Sequence, residues 1–130
     1  MDAWEHPRPP AGTITIEHEG TDRRVLCLRG EVDTAVATQF TTAQRRERVV
    51  VDAIDAEGVT FVSSSALALM LLCIEASVAA GRHPVLRAAS HSVNRALQLA
   101  GIDSLFPRPA PDPGPSPAPG PADRPGGSTN

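Results

Sequence analysis

The chain has 130 residues, enough for one ordinary domain around a single hydrophobic core and too few for a second. Twelve Lys and Arg against fifteen Asp and Glu give a formal net charge of −3, with neither sign gathered into a long run; this argues against nucleic acid or an anionic membrane surface as a direct partner, because both demand a dense positive footprint. With one Trp, three Phe and no Tyr, the core has to be built from Val, Leu, Ile and Ala, and little aromatic surface is left for stacking on bases.

Residues 1–11 read as a flexible arm. It carries acid and proline where a signal peptide would carry positive charge followed by an apolar run, so the expected compartment is the cytoplasm. The stretch from Thr13 to Glu17 then alternates polar and apolar residues, as a half-buried strand does. After a turn at Gly20 and Asp22, Arg24 to Arg29 predicts a second strand that Gly30 ends, and the short connection favours an antiparallel pair. Asp33 or Thr34 has the chemistry of a helix N-cap, which places a modest helix over Ala35–Arg46, with the Arg45, Arg46, Arg48 cluster as its solvated end.

Val49, Val50 and Val51 form a continuous β-branched run, the pattern of a strand covered on both faces, and so predict the centre of the sheet. A loop carrying Asp52, Asp55, Glu57 and Gly58 leads to Val59–Val62, and serines then cap a long apolar helix over about Ser65–Ala80 that Gly81 stops. Its most apolar part, Ala66–Ile74, is about half of what a bilayer-spanning helix needs. Pro84–Ala88 predicts a short strand with proline at its first position. Ser90 caps a helix whose Val93, Ala96, Leu97 and Ala100 share one face, Gly101 closes it, and Ile102–Phe106 supplies an edge strand or turn.

The resulting order, β-β-α-β-α-β-α, predicts a single α/β layer domain over residues 12–106, with a mixed sheet of about four to five strands and three helices. From Pro107 a proline falls at every second position through Pro121, and the last 24 residues hold nine of the chain's thirteen prolines, so residues 107–130 read as a disordered, polyproline-like tail.

Catalytic chemistry is scarce. There is no G-x-S-x-G elbow, no HExxH, no glycine-rich phosphate loop and no cluster of metal ligands, and the four histidines sit at terminal, loop or helix-start positions. The acids after the valine run read as loop solvation. Cys27 and Cys73 lie far apart inside apolar segments, which suits two buried reduced thiols; a redox disulfide between them is the alternative. The distinctive feature is Ser63, Ser64, Ser65. One serine suffices to cap a helix, and three exceed that need. A helix start also tolerates a phosphoryl group, since free N–H groups and the positive end of the dipole face it.

The segment Val59-Thr-Phe-Val-Ser-Ser-Ser-Ala-Leu-Ala68 resembles the signature of bacterial STAS domains, the anti-sigma factor antagonists, in which a strand ends in a hydrophobic pair and Asp-Ser-Ser-Gly-Leu-Gly opens a helix. Leu28-Arg-Gly-Glu-Val-Asp33 is similar to the Gly-Glu-Leu-Asp segment of that family, Val49-Val-Val-Asp52 to its central strand, and Ser90–Asp103 to its penultimate helix and the following turn. The resemblance implies a protein that is not an enzyme, uses no cofactor or metal, and works by partner switching. Such a protein binds an anti-sigma factor that is also a serine kinase, frees a sigma factor, and is switched off by phosphorylation and restored by a phosphatase. By position the phosphate acceptor is Ser64, with Ser63 and Ser65 as alternates, and the partner surface comprises Asp33, Ser63, Ser64, Ser65 and Ala66. Ser63 stands where the family has Asp, Ala66 and Ala68 stand where it has Gly, and the tail replaces the customary last helix. A binding scaffold without the phospho-switch is the alternative.

Overall fold

The structure, a computed structural model, describes residues 12–45 and 47–109. Two strands, β1 (Gly12–Glu19) and β2 (Arg23–Val32), form an antiparallel hairpin. They are followed by α1 (Thr34–Ala43), β3 (Ala53–Val62), α2 (Ser64–Ala79), β4 (Val85–Ala89), α3 (His91–Ala100) and a 3-10 turn over Asp103–Leu105. The sheet order is β1-β2-β3-β4, antiparallel in the first pair and parallel in the other two, so this is a mixed four-stranded sheet in the expected β-β-α-β-α-β-α order.

Side-chain alternation along β2 fixes the layers. Leu26 and Leu28 belong to a large apolar cluster to which all three helices contribute, through Val36, Ala37 and Phe40 of α1, Leu67, Met70 and Ile74 of α2, and Val93 and Leu97 of α3. Val25 and Cys27 point the other way, into a small cluster with Ala53. The helices therefore cover one face. The other is closed by ion pairs: Arg87 bridges Glu19 and Asp55 at 2.9 and 3.1 Å, and Arg29 reaches Glu17 at 3.4 Å. The carboxyl of Glu19 is held below its ordinary range by the hydrogen bond from Arg87.

The central strand lies further along the chain than the valine run suggests. Val49 and Val51 are buried, but the N–H of Val51 donates to the hydroxyl of Ser77 at 2.8 Å rather than to a neighbouring strand. The ladder begins at Ala53, which pairs with Val25 on one side and Val85 on the other. Asp55 is consequently a strand residue neutralised by Arg87, and Glu57 and Gly58 lie in the strand as well. Asp52 guards the strand entry: its carboxylate accepts from Arg24 N at 2.8 Å and from Arg82 Nη1 at 2.8 Å, and the backbone bond from Arg24, more than the guanidinium, holds its pKa below 3.8.

Nor does Gly30 end β2. With φ of 76° it accommodates a shift of register, and the strand runs on to Val32. Because Gly30 pairs with Val59 and Glu31 with Phe61, Thr60 is the extra residue of a β-bulge. The bulge lets both Val59 and Val62 enter the core while Phe61 stays 51% exposed. Helix α1 is shorter than expected, closing at Gln44, and Arg46 lies outside the described residues. The 3-10 turn delivers Phe106 to the core, and Pro107 O accepts from Leu86 N at 2.7 Å, so the first residues of the expected tail lie against β4. The expected arm over 1–11 and the tail from 110 onward lie outside the described residues.

Candidate functional site

Parallel pairing of β2 and β3 brings their carboxyl ends together, with Val32 opposite Val62, and the N-termini of α1 and α2 therefore start side by side. The backbone of Ser63 is pinned to the end of β2 by its N–H, which donates to Val32 O at 2.9 Å. This fixes which of the three serines caps the helix. Ser63 has extended backbone angles and its Oγ accepts from Ala66 N at 3.1 Å, while its carbonyl receives Leu67 N at 3.0 Å. The cap is thus one residue earlier than the sequence suggested, and Ser63 does the work that an Asp would do at this position.

Ser64 and Ser65 become the first two helical residues, and both are exposed. Their N–H groups have no intrahelical acceptor, as for any first turn, and find none among the described residues. Thr34 Oγ1, at the start of α1, donates to Ser65 Oγ at 3.4 Å. The Ser64 hydroxyl has no hydrogen-bond partner among the described residues. Beside them, Asp33 caps α1 by accepting from Val36 N at 2.9 Å. Asp33 is half-buried and committed to its own helix, so it lends the surface charge more than a free side chain.

Ala66, expected at the partner surface, is fully buried, and its N–H is taken by the Ser63 cap. Its place is under the site, where it closes the helix start. Three exposed residues that sequence reasoning did not assign lie at the same strand and helix ends: Thr34, which bonds Ser65, and Phe61 and Glu31, paired across the ends of β3 and β2. The signal for Phe61 was a large apolar residue in a strand whose neighbours Val59 and Val62 already fill the core. Seeing it required the bulge.

The surface is open. A groove of about 470 Å³ lies between α1 and α2, lined by Phe40, Leu69, Leu72, Cys73 and Ala76 among others, and the serines do not line it. Cys73 at its base has a thiol pushed up to about 12 by burial. Burial likewise raises Cys27, with Glu17 adding to it. Both thiols are free and belong to different apolar clusters, on opposite faces of the sheet. A disulfide between them cannot form in this fold, because the sheet stands between the two sulfurs. Among the described residues no group of three or more His, Cys, Asp or Glu is arranged to hold a metal ion, and no helix is long and apolar enough to cross a membrane.

A mixed sheet with helices on one face, and a serine-capped helix springing from a parallel strand end, defines an α/β module of the STAS type. The chain belongs to this family: the STAS domain model matches residues 13–112. Among solved structures the chain is similar to the anti-sigma factor antagonist SpoIIAA in its unphosphorylated form, with a TM-score of 0.55 and 22% identity over 75% of this chain and 89% of that one. At that identity the likeness is one of fold. No curated protein matches the sequence.

Proposed function

We propose that this chain is an anti-sigma factor antagonist, a non-catalytic regulator that binds an anti-sigma factor of the serine kinase type and thereby releases a sigma factor, with Ser64 as the switch. The observation that carries the reading is the division of labour in the serine triplet. Ser63 is occupied as cap and Ser65 faces Thr34, whereas Ser64 is exposed, its hydroxyl has no partner among the described residues, and it stands at the first turn of α2. A phosphate on Ser64 would add about two negative charges where the helix dipole and open N–H groups tolerate them, leaving the fold intact. The same charge beside Glu31, Asp33 and the exposed ring of Phe61 would oppose docking of any partner that has to desolvate this surface.

Incubation of the chain with a candidate anti-sigma kinase and ATP, followed by mapping of phosphate by mass spectrometry, tests the reading. The expected result is phosphate on Ser64 and loss of kinase binding in Ser64→Asp. No phosphate, together with unchanged binding by Ser64→Asp, would refute the switch. One observation favours a second reading, a STAS scaffold that binds its partner without a switch: Ser63 replaces the family's acid, so a kinase that orients on that acid has none here. Binding that survives Ser64→Asp but fails in Phe61→Ala selects it.

A further inference from the structure

The two edges of the sheet differ. β4 is short, follows Pro84, and receives Pro107 along its outer side, where Leu86 N donates to Pro107 O. β1 has eight residues, pairs with β2 on one side, and has no partner on the other among the described residues. Natural edge strands are normally protected by outward charge, proline, bulges or a cover. β1 contains no proline and no Lys, its register with β2 is unbroken over 12–19, and two of its acids are drawn inward: Glu17 to Arg29 and Glu19 to Arg87.

The ground beside this edge is uncharged. Ile14 and Ile16 are only half-buried, and with Val36, Phe40 and Ala43 of α1 they line a groove of about 550 Å³ that runs along β1. Helix α1 contains no charged residue from Thr34 to Ala43, and Gln39 and its C-cap Gln44 also line the groove. Neutrality has a specific value in a two-fold interface, where any charge near the axis meets its own copy.

We propose that the β1 edge is a self-association surface whose occupant is the β1 strand of a second copy, paired antiparallel about a two-fold axis at Thr15. That axis sets Ile14 opposite Ile16 on the helix-covered face, and Thr15 opposite Thr15, with Thr13 opposite Glu17, on the other face. Each half-buried isoleucine gains an apolar neighbour, and no like charges face each other directly. Because the residue patch is its own complement, the contact is isologous and closes at two. The two four-stranded sheets become one of eight strands, with the serine surfaces, which lie at the β2 and β3 ends, left outside the contact. The proposal does not depend on what those surfaces bind.

The test uses the full chain. Light scattering or sedimentation should give twice the 13.6 kDa chain mass, dissociating on dilution. Thr15 is exposed on the open face, so Thr15→Lys should leave the circular dichroism spectrum unchanged while weakening the dimer at least about a hundredfold, through lysines meeting on the axis. Register is read separately in a Cys27→Ala background, since Thr15 faces Cys27 within the chain. Facing Cβ atoms stand about 5 Å apart, so Thr15→Cys should crosslink with a short bismaleimide. Thr13→Cys should not, because its copy is offset by four residues, about 14 Å at the strand rise. A monomeric mass up to about 1 mM overturns the proposal, whatever else covers the edge. A dimer that survives Thr15→Lys overturns it, as does a dimer that crosslinks at Thr13→Cys and not at Thr15→Cys.

Discussion

Exchange of Ser63 for alanine isolates the role of the cap from that of its neighbours. Ser63→Ala deletes the oxygen that accepts from Ala66 N at 3.1 Å and leaves that N–H at the buried start of α2 with no partner. Loss of a serine N-cap costs about 1 kcal/mol, within a range of about 0.5–2. The upper half of that range applies here, because Ala66 is fully buried and water cannot reach the stranded N–H as it would in an isolated helix. For a domain of this size the expected fall in Tm is about 5–10 °C. Ser64→Ala, at an exposed position with no hydroxyl partner among the described residues, should stay within about 0.5 kcal/mol of wild type. Ser63→Asp should match or exceed wild type, since it keeps the acceptor and adds a charge at the positive end of the helix, worth about 0.3–1 kcal/mol. Urea unfolding followed by circular dichroism measures all three. If Ser64→Ala destabilises as much as Ser63→Ala, the cap has been placed on the wrong serine and the availability of Ser64 for modification falls with it.

Three further outcomes follow from the packing. Ser77 is the one fully buried polar side chain in the described core; it accepts from Val51 N at 2.8 Å and donates to Cys73 O at 2.6 Å, so Ser77→Ala should cost about 2 kcal/mol in urea unfolding by stranding the N–H of Val51. The carboxyl of Asp52 is held below 3.8, so its contribution to stability is present in full above that pH and is lost as the pH falls through the lower folded value. Asp52→Asn should therefore be less stable than wild type by about 1 kcal/mol at neutral pH, a figure reduced for the partial exposure of Arg82, and the deficit should shrink as unfolding is measured at successively lower pH below 3.8. Cys27 and Cys73 should both resist alkylation at pH 8 in the native chain and react only in denaturant, because both are buried and the thiolate of Cys73 is held far out of range by its desolvation; labelling of either at the rate of a free thiol would show that its cluster opens.

The helices and their order were legible because their signals are local. Asp33, Ser90 and Gly101 punctuate the chain as their chemistry dictates, and of the four residues expected on the inner side of α3, Val93 and Leu97 are buried and Ala96 half-buried, while Ala100 is exposed at the last turn. The strands were less so. β3 is a poor apolar run because Asp55 sits in it, and the charge that pairs with it is on Arg87, a residue 32 positions away that no local window sees. The valine run looked more like a strand than the strand did, since burial without pairing produces the same composition. The site shows the same division. The serines announced a helix start, but which of them caps it was set by the bond from Ser63 N to Val32 O, and the outward turn of Phe61 by a bulge that depends on β2 and β3 together.

The bond from Leu86 N to Pro107 O has a consequence for assembly. Proline can accept a backbone hydrogen bond but cannot donate one, so the contact runs one way: Pro107 takes the N–H of Leu86 and returns none to β4. The two edges of the sheet are therefore unequal: β4 is covered at Leu86, whereas β1 has no partner on its outer side among the described residues. In the dimer each copy spends its β1 edge on the other, so the two-fold contact closes by symmetry, and the outer edges of the joined sheet are the two β4 strands, each with Pro107 already seated on it.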